Sequence, residues 1–221
     1  KTHKVEILDT EWVTHDVRKF EFEKPEGYTY EPGQATEVAI DKDDWRDEKR
    51  PFTFTGLNEW DHLEFVIKVY EDHDGVTKQI GELETGDHFI IGEPWGTIQY
   101  KGPGTFIAGG AGVTPFIAIL RKLARTAKLN KNTLLFSNKT EEDIILRDEF
   151  EQLLGDRFIN VITDEETDNY MHDFIDKEFL EDQIDDFDQN FYVCGPKAMV
   201  EDISEALEDL GASADGIVFE E

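Results

Sequence analysis

The chain has a single cysteine, Cys194, among its 221 residues. One thiol excludes an internal disulfide framework and any iron–sulfur cluster held by the cysteines of this chain alone. Long apolar runs are also missing, because no stretch approaches the roughly 20 residues that a membrane-spanning helix needs. The opening residues, KTHKVEILDT, lack the apolar core of a signal peptide. We therefore expect a cytoplasmic protein without a membrane segment.

Basic residues are scarce: 22 lysines and arginines face 51 aspartates and glutamates, a formal net charge of −29. Acids outnumber bases by 24 to 11 in residues 1–100 and by 27 to 11 in residues 101–221, so the excess is spread evenly. A nucleic-acid partner is excluded, because binding phosphates needs a basic surface. Adaptation to high salt and docking to a basic partner protein both remain open. The even spread favours salt adaptation.

The six histidines show no spacing typical of metal ligands, and the many carboxylates are best explained as solvated surface. We therefore expect no metal site. Apolar residues make up 38% of the chain, which is enough to build cores and argues against disorder.

The first hundred residues have the pattern of short strands separated by turn formers such as PEG, EPGQ and DHDG. The strand candidates are VEILDTEWV, VRKFEFEK, ATEVAI, PFTFTGL, LEFVIKVY and HFIIGEP. Many short strands at this spacing indicate an antiparallel barrel or sandwich. One short helix is predicted within residues 77–83.

From about residue 104, strands and helices alternate, which predicts a parallel sheet covered by helices. The strand candidates are TFIAGG, NTLLFSN, FINVITD, NFYVCG and GIVF. The predicted helices are TPFIAILRKLARTAK, EEDIILRDEFEQLLG, the acidic stretch 170–188 and GPKAMVEDISEALEDLG. The fold class is thus two-domain: an antiparallel β-barrel over residues 1–100, followed by an α/β parallel-sheet domain over residues 101–221.

Two loops that each follow a strand and precede a helix should lie at one edge of the parallel sheet, where ligands bind. The first, AGGAGVTP, contains Gly110, Gly112 and Thr114. Its glycines would let the backbone approach a phosphate at a helix start, although a tight turn alone would also explain them. The second is Cys194-Gly195-Pro196. A lone cysteine is more often a small buried hydrophobe than a reactive thiol.

Two further segments in the barrel half have the composition of a ligand site. Gly75-Val76-Thr77 opens the one predicted helix there, which makes its start a second candidate phosphate site. Arg50-Pro51-Phe52-Thr53 places a scarce cation at the head of a strand with alternating aromatic and hydroxyl residues. A guanidinium matches the geometry of phosphate oxygens.

Taken in order, the blocks Y-x-P-G-Q, R-P-F-T, G-V-T, G-G-x-G-V-T-P and C-G-P-x-x-M resemble the ferredoxin–NADP⁺ reductase superfamily. The resemblance covers essentially the whole chain, with every block in the family's order. It implies an FAD-binding β-barrel followed by an NAD(P)-binding α/β domain.

The resemblance also implies residue roles. In the barrel, Arg50 would hold the FAD pyrophosphate, and Phe52 would lie against the isoalloxazine or ribityl. Thr53 would bond near flavin N5. The remaining FAD contacts that it implies are Pro51, Val66, Ile67, Lys68, Gly75, Val76 and Thr77. Phe52 stands where many members have tyrosine, so a hydroxyl contact is lost.

In the α/β half, the resemblance assigns Gly110, Gly112 and Thr114 to the dinucleotide pyrophosphate. Cys194, Gly195 and Pro196 would flank the nicotinamide. Thr53 and Cys194 are thus the two candidate catalytic residues, each in a positioning role. Many members place an aromatic residue over the flavin near the C-terminus; Phe219 would serve there, or would be a core residue of the last strand.

The cosubstrate is NADPH or NADH. After the second strand of the α/β half, Ser137 and Lys139 could hold a 2′-phosphate, which tilts the expectation slightly toward NADPH, but the usual arginine pair is missing. On the preceding helix, Arg121, Lys122, Arg125 and Lys128 form a basic cluster, interpreted first as a solvated face and second as a guide for an acidic carrier.

Three functions are consistent with these features. The leading one is an FAD-dependent NAD(P)H oxidoreductase that passes electrons to a separate protein such as a ferredoxin, a flavodoxin or an oxygenase component. The second is a reductase of free flavin or small acceptors, and the third is a flavin-binding regulatory module without turnover. A monomer is expected.

Overall fold

The computed structural model of the chain describes residues 1–71, 75–96 and 98–220. Contacts between Cα atoms divide the chain into two compact units. The first unit consists of Lys1–Gln99 with Thr114–Lys122, and the second of Tyr100–Val113 with Leu123–Glu221. The longest described helix has 13 residues, and none of the described helices is both long and apolar enough to span a bilayer.

The described residues of the first unit form six antiparallel strands, one short helix and most of a second helix, Thr114–Arg125. The strands are β1 (His3–Trp12), β2 (Val17–Glu23), β3 (Ala35–Ile40), β4 (Arg50–Thr53), β5 (His62–Lys68) and β6 (His88–Ile91), and the short helix is α1 (Val76–Ile80). Each strand lies within or close to a segment that the alternation of apolar residues predicted. The predicted helix within residues 77–83 is confirmed as α1, one residue earlier.

The strand order β4-β3-β6-β1-β2-β5 leaves β4 and β5 at the two edges of the sheet. These edges meet, because the amide of Thr55, just beyond β4, donates to the carbonyl of Glu64 in β5 at 3.0 Å. The sheet therefore closes into the predicted barrel. Inward-facing residues recur at every second position along the strands, so that Phe20, Phe22 and Phe65 form one fully buried aromatic cluster.

The second unit is a parallel sheet with the order β10-β9-β8-β7-β11-β12. Its strands are β7 (Gly104–Gly109), β8 (Thr133–Asn138), β9 (Phe158–Ile162), β10 (Met171–His172), β11 (Asn190–Cys194) and β12 (Ile217–Glu220). The remaining helices of the chain are α2 (Thr114–Arg125), α3 (Arg147–Leu154), α4 (Lys177–Gln183) and α5 (Lys197–Asp209). The strand order reverses between β7 and β11, which is the point where parallel sheets bind ligands.

Two helix predictions were wrong. The segment 141–155 is not one helix, because Leu146 adopts a left-handed backbone (φ 54°) between a single 3₁₀ turn and α3. The acidic stretch 170–188 contains only the two-residue edge strand β10 and the seven-residue α4. Asp176 begins α4 by accepting a hydrogen bond from the Phe179 amide at 2.9 Å.

Candidate functional site

Strand β4 carries two polar side chains, Arg50 and Thr53, that are predicted to contact FAD. The Arg50 guanidinium is half exposed, donates to the carbonyl of its neighbour Lys49 at 2.8 Å, and lies 3.8 Å from a Glu48 carboxylate oxygen. Thr53 is 9% exposed, and its hydroxyl bonds no residue in the described part of the chain. A half-exposed guanidinium and a hydroxyl on one short strand fit the phosphate and ring contacts that FAD requires.

Phe52 lies between them in the chain and, because alternate residues of a strand share a face, on the face opposite Thr53. Its ring packs against the barrel core, with its centroid 5.9 Å from that of Phe65. The side chain of Phe52 is thus a partly buried core residue, and its contact with a flavin stays a prediction. Pro51 is exposed and pairs with Glu37 of β3.

Strand β5 divides its three predicted flavin contacts between two faces. Ile67 belongs to the barrel core, so only its backbone is available to a ligand. Val66 and Lys68 lie on the opposite face together with Glu64, because alternate residues of a strand share a face. Lys68 is partly exposed, with its ammonium 4.0 Å from Asp16.

Glu64 forms a buried ion pair on that face. Its carboxylate is 3% exposed and accepts a hydrogen bond from Arg121 of α2 at 2.7 Å and another from the Thr55 hydroxyl at 2.8 Å. Arg121 also donates to the Thr55 carbonyl at 3.0 Å and lies over the Trp60 ring. The interpretation of Arg121 as part of a solvated basic face was therefore wrong, because its side chain is only 11% exposed.

Helix α1 begins at Val76, and Gly75 before it has an extended backbone and no side chain that could cap the helix. Uncapped amide groups at a helix start fit a phosphate. The roles of Gly75, Val76 and Thr77 in holding a pyrophosphate stay predictions.

Two barrel tyrosines near these strands are donors at neutral pH. Burial raises the pKa of Tyr28 to about 12, and its hydroxyl donates to the Gly92 carbonyl at 2.7 Å. Burial, reinforced by the nearby Glu64 and Glu59 carboxylates, raises the pKa of Tyr30 further still. Neither phenol can act as a base near neutrality.

The two glycine loops of the second unit meet. After β7 the chain makes a 3₁₀ turn over Gly110–Val113, in which Gly110 has a left-handed backbone (φ 53°). A Cβ built on Gly112 would stand 2.6 Å from the Cα of Gly195 and 2.7 Å from the carbonyl oxygen of Cys194. The predicted dinucleotide residues thus lie together at the carboxyl edge of β7 and β11, where only glycine permits this approach.

The other residues at this edge differ in exposure. Cys194 is 2% exposed and contributes its backbone to the loop contact. Gly195 is partly exposed, and Pro196 is exposed. Thr114 is the first residue of α2. The alternative that Phe219 is a core residue was wrong, because its side chain is 54% exposed on β12.

An orphan amide at the end of β8 was missed by sequence reasoning. Asn138 is 5% exposed, yet neither its Oδ1 nor its Nδ2 atom has a hydrogen-bond partner in the part of the chain that the structure describes. Buried amides are normally paired, so Asn138 is an exception among the described residues. Lys139, the next residue, is exposed.

The loops that follow β8 and β9 are rich in acids. The amide and hydroxyl of Thr140 both donate to Asp143, at 3.1 and 2.9 Å, and the Glu141 amide donates to Glu165 at 2.7 Å. The bond between Glu141 and Glu165 joins the loop after β8 to the loop after β9. The six acids of the two loops are Glu141, Glu142, Asp143, Asp164, Glu165 and Glu166.

Comparison with known families agrees with this arrangement. Residues 4–100 match the family described as "Oxidoreductase FAD-binding domain", and residues 106–205 match "Oxidoreductase NAD-binding domain". The chain belongs to the ferredoxin–NADP⁺ reductase superfamily. The predicted fold class and the cofactors FAD and NAD(P)H are confirmed.

Several members of the superfamily are similar to this chain. NADH-cytochrome b5 reductase 2 of Mycosarcoma maydis is 32% identical over 213 residues, which are 86% of this chain and 60% of that protein. The chain thus spans less than two thirds of that relative's length. The cytochrome b5 reductase domain of Ulva prolifera nitrate reductase superposes with a TM-score of 0.84 at 25% identity, covering 100% of this chain and 97% of that one.

The fold is also that of a ferredoxin NADP⁺ reductase from Neisseria gonorrhoeae, solved with bound FAD and NADP. The TM-score is 0.85 at 20% identity, over 100% of this chain and 98% of that one.

Proposed function

We propose that this chain is an FAD-dependent oxidoreductase that accepts hydride from a reduced nicotinamide and passes the electrons to a separate redox protein. The proposal is carried by one short barrel strand that holds a half-exposed guanidinium, Arg50, and a hydroxyl residue, Thr53, whose side chain is 9% exposed. FAD supplies the redox chemistry when bound, and the protein supplies binding and alignment.

Each residue of the candidate site has a proposed role. Arg50 and the start of α1 bind the FAD pyrophosphate, Thr53 donates its hydroxyl to the flavin, and the loop of Gly110 and Gly112 binds the dinucleotide pyrophosphate. Cys194 positions the nicotinamide through its backbone. We propose that residues 1–100 hold FAD and residues 101–221 hold the dinucleotide.

The acceptor is proposed to be a separate electron-carrying protein. In support, NADH-cytochrome b5 reductases are named among the similar proteins, and so is the reductase component of a propane 2-monooxygenase from Rhodococcus jostii. Ferredoxin, flavodoxin and an oxygenase component remain candidate acceptors beside a cytochrome b5.

An acceptor panel tests this proposal. The FAD-loaded protein is mixed with reduced nicotinamide and, in turn, with cytochrome b5, ferredoxin, flavodoxin and free FMN. The proposal predicts that one of the proteins is reduced faster than FMN at equal concentration. Faster reduction of FMN than of every protein would favour the free-flavin reductase, and no turnover with any acceptor would favour the regulatory module.

Removal of the Thr53 hydroxyl is expected to slow flavin reduction. A hydrogen bond contributes about 1 kcal/mol, so Thr53→Ala should lower the rate constant of flavin reduction about fivefold with FAD still bound. Thr53→Ser keeps the hydroxyl and is the matched control, expected to react at close to the original rate. The measurement is anaerobic stopped-flow absorbance of the flavin, and equal rates in all three proteins would remove Thr53 from the mechanism.

We further propose that NADH is the preferred cosubstrate. A 2′-phosphate at the carboxyl end of β8 would enter the field of six carboxylates, which Lys139 and Arg147, 3.5 Å from Glu141, offset only in part. Neutral ribose hydroxyls avoid this repulsion. This proposal replaces the slight preference for NADPH expected from Ser137 and Lys139.

The selectivity should be measurable as a ratio. We expect kcat/KM for NADH to exceed that for NADPH by about tenfold or more, since one like-charge contact of about 1.4 kcal/mol gives that factor. Glu141→Gln with Glu165→Gln should narrow the ratio mainly by improving NADPH. The control Glu178→Gln, on α4, should leave the ratio unchanged. A ratio that favours NADPH in the unmodified protein would overturn the proposal.

A further inference from the structure

Three side chains with metal-binding atoms converge on the surface of the barrel, on three neighbouring strands. They are Glu6 of β1, Glu23 at the end of β2 and His88 at the start of β6. One ligand atom from each lies within 4.8 Å of the other two. Glu6 and His88 are partly buried and Glu23 is exposed.

The strand pairing fixes the positions of these residues. Glu6 and His88 are direct partners in the antiparallel β1–β6 ladder, and β2 pairs with β1 on its other side. The Glu6 amide donates to a carboxylate oxygen of Glu23 at 2.6 Å, which holds that side chain over β1. All three residues are thus mounted on a continuous hydrogen-bonded sheet.

Elsewhere on the barrel, neighbouring acids share a basic residue. Asp41 and Asp43 both bond Arg46, at 2.7 and 2.6 Å. Glu11 and Glu21 lie 2.9 and 3.6 Å from the ammonium of a single lysine, Lys19.

Glu6 and Glu23 differ from those pairs. Within the described ranges no lysine or arginine lies within 4 Å of either carboxylate, and the group that faces both is an imidazole. Two adjacent carboxylates without a basic partner repel each other, and a cation between them relieves that repulsion.

We propose that Glu6, Glu23 and His88 bind a divalent first-row transition-metal ion such as Zn²⁺. Two carboxylate oxygens and one imidazole nitrogen are a donor set that such ions accept, whereas Mg²⁺ and Ca²⁺ prefer oxygen ligands alone. Ligand atoms at about 2.1 Å from zinc stand roughly 3.0–3.5 Å apart, so rotamer shifts of about 1 Å complete the set. The bound ion cross-links β6, β1 and β2, and water fills its remaining positions.

The site is independent of the flavin chemistry. No metal site was expected from the sequence, because the histidines show no spacing that is typical of metal ligands. Only the pairing of β1 with both β2 and β6 brings the residues together.

Zinc titration of the FAD-loaded full chain tests the proposal. The protein is first treated with a chelator, then titrated with Zn²⁺ by calorimetry in salt high enough to suppress diffuse binding by the acidic surface. We expect one tight site per chain and a higher thermal midpoint with Zn²⁺. His88→Asn should weaken binding by more than the 10–100-fold typical of losing an outer-shell partner.

Two further variants keep the test decisive. Glu23→Gln changes an exposed strand end, so it should fold normally and also lose the tight site. His62→Asn removes another barrel histidine that contacts a carboxylate, Asp61 at 2.8 Å, and should bind Zn²⁺ like the original protein.

The proposal is overturned if the original protein has no tight site, or if His88→Asn and Glu23→Gln both retain it. It is also overturned if Mg²⁺ or Ca²⁺ competes with Zn²⁺ at equal concentration. An acidic surface without a metal site would not discriminate among these ions.

Discussion

Replacing Arg121 with methionine is expected to lower the free energy of unfolding of the first unit by about 3–5 kcal/mol. The substitution leaves the Glu64 carboxylate, 3% exposed, without its guanidinium partner at 2.7 Å. It also removes the bond from Arg121 to the Thr55 carbonyl. An unpaired charge in that environment costs far more than the loss of an exposed ion pair.

The neighbouring residue provides the control. Lys122 pairs with Glu59 at 2.9 Å, but its side chain is 43% exposed, so Lys122→Met should cost about 1 kcal/mol or less. Combining Arg121→Met with Glu64→Leu removes both charges and should recover most of the lost stability. Urea unfolding followed by circular dichroism and flavin fluorescence measures all three. Equal losses for Arg121→Met and Lys122→Met would contradict the buried pair.

Gly112→Ala is expected to weaken dinucleotide binding by about 10–100-fold. The new Cβ would stand within 2.7 Å of backbone atoms of Cys194 and Gly195, which cannot move aside as a flexible side chain would. Overpacking of this kind costs about 1–3 kcal/mol. The displaced loops would then no longer match the pyrophosphate, because they form the predicted cradle themselves.

A substitution at the first residue of β7 distinguishes an effect on folding from an effect on dinucleotide binding. Gly104 begins β7, and a Cβ there would meet the carbonyl oxygen of Asn190 at 1.9 Å. Gly104→Ala should therefore destabilise the second unit at least as much as Gly112→Ala. Its folded fraction should nevertheless bind NADH with nearly unchanged affinity by fluorescence titration. If Gly112→Ala also binds NADH normally, the loop at Gly112 is not the cradle.

The strands could be predicted because the alternation of apolar residues is visible within each strand's own sequence. Alternation of apolar residues, as in Phe20 and Phe22, marks a barrel strand whatever its neighbours are. The two helix errors arose where this signal is ambiguous. At Leu146 a left-handed residue interrupts an otherwise helical pattern, and the strand Met171–His172 is too short for any periodicity.

Some features of the candidate site could also be predicted from the sequence, and others could not. Glycine-rich loops after strands point to the dinucleotide edge from sequence alone, as Gly110 and Gly112 do. The orphan amide of Asn138 and the buried pair of Glu64 and Arg121 depend on which distant segments pack together. No spacing in the chain encodes such packing, so these features became visible only in the folded structure.

Anaerobic addition of NADH to the FAD-loaded protein tests the central claim most directly. The account predicts that the purified protein takes up FAD, that NADH bleaches the flavin absorbance, and that a redox-protein acceptor restores it. A protein that takes up no FAD, or whose bound FAD stays oxidised with both NADH and NADPH, would contradict the account.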